Sequence, residues 1–196
     1  MDEIKIQAEI ITEETCQFTV DRPVYPDGSV FFRDASSSSG SPLAETLFSI
    51  EGVSSILIGE NVVRVTQSGL KDWMPVARKI GAAIRAQLQS GLPGVSPELR
   101  VNLPSEDFLR DKIRLILQDQ INPAVGQHGG YVNLIDVKKN IVYLELGGGC
   151  QGCGMAAVTL RKGVEKAIRD AVPEVGEILD ITDHAAGRNP YYAPHA

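Results

Sequence analysis

Cysteine is scarce in this chain, basic residues are in the minority, and long apolar runs are absent. Three cysteines in 196 residues, Cys16, Cys150 and Cys153, are too few and too odd in number for a disulfide framework. The formal charge is -6, with nine basic against thirteen acidic residues before Pro104 and ten against twelve from there on. Neither part carries the basic footprint of a nucleic-acid binder. No apolar run approaches the roughly 18 to 20 residues of a membrane span. The opening "MDEIKIQ" carries acid where a targeting peptide carries Arg or Lys. No nucleic-acid or membrane partner is expected, and a cytoplasmic location is. Histidine is rare too, with three in the chain. The first part has no Ser-His-Asp arrangement, paired acidic motif or phosphate loop.

What is present divides in two. "GLPGVSPELRVNLP", Gly91 to Pro104, holds three prolines and two glycines without periodicity, and reads as an exposed linker. Residues 1–90 then form a first domain, 91–104 the linker, 105–183 a second domain and 184–196 a tail. In the first, "EIKIQAEI" and "CQFTV" alternate as a strand pair and "GSVFF" suggests a third strand. The serines 36–39 read as a loop. Ser41 before Pro42 is an N-cap and first-turn signature, "VSSILIG" and "NVVRVTQ" flank a hairpin turn at Gly59 to Asn61, and Asp72 caps a helix ending near Gly91.

In the second domain Ser105 caps a helix with Leu109, Ile113, Ile116 and Leu117 on one face, expected to end by Asn122 because Pro123 follows. A turn at Gly126, His128, Gly129 and Gly130 leads into the strands "YVNLIDV" and "NIVYLEL". A second amphipathic helix carries Leu160, Val164, Ala167, Ile168 and Ala171, and "GEILDIT" closes the order helix, strand, strand, helix, strand. The fold class is α+β, as two small domains on a Pro/Gly-containing linker.

Between the second strand and second helix lies "GGGCQGCG", where Cys150 and Cys153 sit among five glycines. Gly147, Gly149 and Gly152 formally spell a dinucleotide fingerprint, but the chain lacks the further strand-helix units of a doubly wound sheet. A thiol-disulfide oxidoreductase is a second reading, since a helix N-terminus favours the thiolate of a Cys-x-x-Cys pair. The strand pair expected after the helix of such a fold is missing.

The third reading is metal. Two thiolates supply half of a four-ligand site, and Cys16, His128, His184 and His195 have no ligand-like spacing to them. Two copies of the chain would complete four thiolates around one 4Fe-4S cluster on a symmetry axis. Such a cluster with four thiolates carries a net -2 charge, which helix-start and glycine-turn amides favour. Glycines let backbone approach bulky sulfide. A loop site at a dimer seam suits a labile cluster and a carrier. A zinc-stabilised interaction module is the remaining alternative.

From about Glu106 to Thr182, the His-Gly-Gly turn, the GGGC-x-GC loop and the TL-x-x-G-x-E helix resemble the NifU C-terminal-type domain of Nfu iron-sulfur cluster proteins. "RPVYPDGSVFF", "SPLAETLFSIEGVSSILIGENVVRVT" and "DWMPV" resemble the Nfu N-terminal domain, and "DHAAGRNPYY" the tail of bacterial relatives. Many relatives open with a Pro-Asn-Pro turn where this chain has "TEETCQFTV". The resemblance implies a scaffold or carrier, not an enzyme. It implies a 4Fe-4S cluster bridged by Cys150 and Cys153 of two subunits, handed to recipient apoproteins in concert with the iron-sulfur assembly machinery.

Other conspicuous residues have plainer readings. Cys16 sits in an alternating strand as a small hydrophobe. Trp73 and Phe48 are expected to pack in the core. His128 is expected to serve its turn through a local hydrogen bond. Arg161, Lys162, Lys166 and Arg169 read as the solvated face of their helix, with Arg161 and Glu165 spaced to pair, or as a guide for an anionic cluster or acidic recipient.

Overall fold

The computed structural model describes residues 3–69, 72–148 and 155–182. The chain divides into two compact units, Met1–Leu103 and Pro104–Ala196.

In the first unit β1 (Ile6–Thr12), β2 (Thr15–Val20), β3 (Val30–Phe32), β4 (Val53–Ile58) and β5 (Val62–Gln67) form one sheet in the order β1-β2-β5-β4-β3. Alternation does the work: Cys16, Phe18 and Val20 of β2 and Val63 and Val65 of β5 are all buried, with polar residues between them. Two helices, α1 (Pro42–Phe48) and α2 (Trp73–Ser90), supply the other side of the core. Ser41 caps α1 by accepting the Ala44 amide, Asp72 caps α2 by accepting that of Met74, and Gly91 ends α2 in the left-handed region at φ 71°. Trp73 is buried and donates its Nε1–H to Glu13 O at 2.9 Å, and Phe48 packs partly buried against the same core.

Two readings of this half need correcting. The serine run is a 3-10 turn, Ala35–Ser38, closed by a reciprocal cap between Asp34 and Ser37. The stretch 91–104 is not a plain spacer. Ser96 caps a short helix α3 (Pro97–Val101), Val95 is buried, and Gly94 O accepts bonds from the Ser41 hydroxyl at 2.7 Å and the Leu43 amide. The physical reason is local: Ser-Pro caps one helical turn too short to show periodicity.

The second unit is a three-stranded sheet, β6 (Gly130–Lys138), β7 (Ile141–Gly148) and β8 (Ile178–Asp180), with β7 in the middle. The β6–β7 hairpin turns at Lys139 and Asn140, both at positive φ (51° and 59°). A helix α6 (Met155–Ala171) connects β7 to β8, which run parallel. Val164 and Ile168 of α6 meet Leu109 and Ile113 of α4 (Glu106–Ile116) and Val142, Leu144 and Leu146 of β7 in one core. Burying Leu109 and Ile113 completely contributes about 1.5 to 3 kcal/mol each.

The first helix of this unit does not stop before Pro123. It passes through a π-helical segment, Leu117–Ile121, into α5 (Asn122–Gly126). The widened turn sends the Asn122 amide to Leu117 O, and Pro123, which has no amide to offer, falls in the first turn of α5. Among the described residues no helix is long and apolar enough to cross a membrane.

Candidate functional site

Cys150 and Cys153 lie outside the described residues, as do Gly149, Gly152, Gly154, His184 and His195. The structure defines what holds both ends of their loop. β7 delivers the chain at Gly148 and α6 receives it at Met155, so six residues join a strand end to the start of a 17-residue helix. The N-terminus of such a helix has free amides and a positive dipole end, an environment that favours thiolate or any anionic ligand.

Each of the last three residues of β7 is held by a different residue of the unit. Leu146 donates its amide to Thr182 Oγ1 at 2.6 Å. Gly147 pairs with Tyr131, whose Cζ, Cε2 and Oη occupy the space a Cβ at 147 would need. Gly148 pairs with Gly130, has φ 64°, and lies against the Gly129 carbonyl so closely that a side chain would collide with backbone.

The partners in that grip are themselves anchored. His128 and Gly129 donate their amides to Val125 O and Gly126 O at 3.0 and 2.9 Å, closing the turn after α5. Asn122 donates Nδ2–H to Val132 O at 3.0 Å and accepts the Val132 amide at 2.8 Å, which fixes the start of β6 to the helix end. His128 is exposed, and no hydrogen bond of its imidazole is present among the described residues, so its contribution is through the backbone and not the local side-chain bond expected.

The second turn of α6 is tied to β8 by charge. Arg161 reaches Asp180 of β8 at 2.7 Å, and Asp180 Oδ1 accepts the Thr182 amide at 2.9 Å. Arg161 thus pairs across to β8 and not with Glu165, which is taken by Arg169 at 3.0 Å. Arg169 also donates to Val175 O, and Lys166 pairs with Asp170. Three of the four basic residues of this helix thus have partners within the unit, as on a solvated face, while Arg161 and Lys166 remain exposed.

Cys16 is 1% exposed on β2 of the other unit, and burial pushes its thiol above the ordinary range. It stays protonated and packed, unsuited to ligation. Among the described residues no group of three His, Cys, Asp or Glu side chains could hold a metal ion.

Asn122, Tyr131, Asp180 and Thr182 were not singled out from sequence. None belongs to a motif, and each acts through pairing register or a bond across ten or more residues in the chain.

Two family models match the chain: a NifU-like domain over residues 113–179 and "Scaffold protein Nfu/NifU N terminal" over residues 10–91. Among curated proteins, the Fe/S biogenesis protein NfuA of Pseudomonas savastanoi pv. phaseolicola is 43% identical over 102 residues, covering 50% of this chain and 52% of its own length. That of Pseudomonas aeruginosa is 44% identical over 99 residues, covering 50% and 51%. The matched part thus spans about half the length of these relatives. Among solved structures, the NifU-like protein from Saccharomyces cerevisiae aligns with a TM-score of 0.42 at 20% identity, over 48% of this chain and 85% of that one.

Proposed function

We propose, for a chain that belongs to the Nfu/NifU family by both of its domains, that it is a scaffold or carrier for iron-sulfur clusters. Cys150 and Cys153 are the ligands in this reading. The cluster is a 4Fe-4S centre shared by two copies of the chain, each contributing two thiolates. It is assembled on or loaded onto the dimer by the iron-sulfur assembly machinery and released to recipient apoproteins. No substrate is turned over.

The observation that carries the reading is the way the loop's two ends are held. A strand end pinned at three consecutive residues and a helix tied to β8 through its second turn bracket six residues that contain two thiols and three glycines. Such bracketing limits the paths open to the loop, and pre-ordering ligands lowers the entropy lost when they close on a metal centre. Among the described residues no separate group of three His, Cys, Asp or Glu side chains offers a rival metal site.

The thiol-disulfide reading uses the same two cysteines and predicts different chemistry. Anaerobic reconstitution with iron and sulfide, followed by assay of iron, acid-labile sulfide and zinc, separates the readings. The carrier account expects equal iron and sulfide in the wild type and neither in Cys150→Ser or Cys153→Ser. Zinc without sulfide, or iron retained by both variants, would overturn it.

A further inference from the structure

Gly147 has no side chain and stands on the sheet face that also carries Tyr131 and Asn133, yet it is buried, whereas Gly148 beside it is exposed. The cover is Tyr131. Its ring lies across the Gly147 backbone, filling the volume a Cβ would take, while the tyrosine as a whole remains 45% exposed. An aromatic side chain laid over a cross-strand glycine protects the backbone bonds beneath it and stiffens the strand there.

The position of that ring gives it a role. Cys150 is three residues beyond Gly147, so its Cα lies within about 11 Å of the Gly147 Cα whatever path the loop takes. Gly147 is also the one residue among the last three of β7 whose hold comes from a side chain resting on it; Leu146 and Gly148 are held through hydrogen bonds and backbone contact.

We propose that Tyr131 is a positioning residue for the Cys150–Cys153 loop. Its ring clamps Gly147 and fixes the end of β7 from which the chain leaves, and a fixed exit slows loss of a bound cluster. The cluster half of this statement rests on the carrier reading; the clamp on the loop does not.

The test uses the full chain in four forms: Tyr131→Ala, which removes the ring; Tyr131→Phe, which keeps it; Gly147→Ala, which displaces it; and the double variant Tyr131→Ala with Gly147→Ala. Two rates are read. In the cluster-free reduced protein, stopped-flow reaction with Ellman's reagent follows the Cys150 and Cys153 thiols while buried Cys16 stays silent. In the reconstituted protein, visible absorbance follows bleaching by an iron chelator. Tyr131→Ala and Gly147→Ala are expected to speed both rates by about fivefold or more, the scale of one lost aromatic contact, with Tyr131→Phe close to wild type.

The double variant should be no faster than either single one, because both remove the same contact. Thermal melting identifies any variant that fails to fold, and Gly147→Ala then decides in place of Tyr131→Ala. Wild-type rates in both ring-removing variants would overturn the proposal. A wild-type protein that takes up no cluster overturns the carrier reading and the cluster half of the proposal with it, while the thiol rates still judge the clamp.

Discussion

The Arg161 guanidinium sits 2.7 Å from the Asp180 carboxylate, whose side chain is only 5% exposed, although Arg161 itself is half exposed. This contact joins the second turn of α6 to β8, and through Thr182 to Leu146 on β7. It ties α6 to the sheet beside the strand that precedes the cysteine loop.

Removing the charge should be felt in stability first. Asp180→Asn keeps the shape and weakens the bonds to Arg161 and the Thr182 amide, and urea unfolding should show a loss of about 2 kcal/mol, the scale of hydrogen bonds to charged groups. A change under about 0.5 kcal/mol would mean that the contact is not a structural tie.

Two glycines should respond with opposite sign. Gly148→Ala forces a side chain into φ 64° and against the Gly129 carbonyl, costing at least about 1 to 2 kcal/mol. Gly163 lies within α6 with open space around it, and Gly163→Ala should add about 0.5 to 1 kcal/mol through helix propensity. Denaturant midpoints of the two variants check both signs.

Cys16 should be chemically silent. Its burial and raised thiol pKa predict that Ellman's reagent counts two thiols in the folded, reduced chain and three after denaturation. Cys16→Ala should leave iron content unchanged. Loss of iron in that variant would place a ligand where the structure puts a core residue.

Asn122 offers a graded test of the turn before β6. Asn122→Ala abandons both the amide and the carbonyl of Val132 and should cost about 2 kcal/mol, whereas Asn122→Asp keeps an acceptor for the amide and should cost less. Hydrogen exchange at the Val132 amide should rise in the first variant and change less in the second.

Local chemistry made much of the fold legible. Ser41, Asp72 and Ser105 cap helices where side-chain oxygens precede apolar periodicity, and Gly91 ends α2. The same Ser-Pro signature at Ser96 was hidden, because five residues of helix carry no period. The passage through Pro123 was hidden too, since a π-helical segment has no compositional mark.

The supports of the loop were the least legible part. Counting back from the Lys139–Asn140 turn places Tyr131 opposite Gly148, but an irregularity between Leu134 and Asp136 shifts the register by one and sets it opposite Gly147. A single extra residue in β6 therefore decides which glycine the ring covers. Arg161 with Glu165 obeyed the helical spacing rule and was outcompeted by a carboxylate on β8, which no local pattern reports.

The central claim is that one cluster is held by two copies of the chain through Cys150 and Cys153, and native mass spectrometry of the anaerobically reconstituted protein tests it most directly. The account predicts a species of two chains plus about four irons and four sulfides, which falls to chains without iron when either cysteine is replaced by serine. A cluster carried by a single chain, or a dimer whose iron survives both replacements, would contradict it.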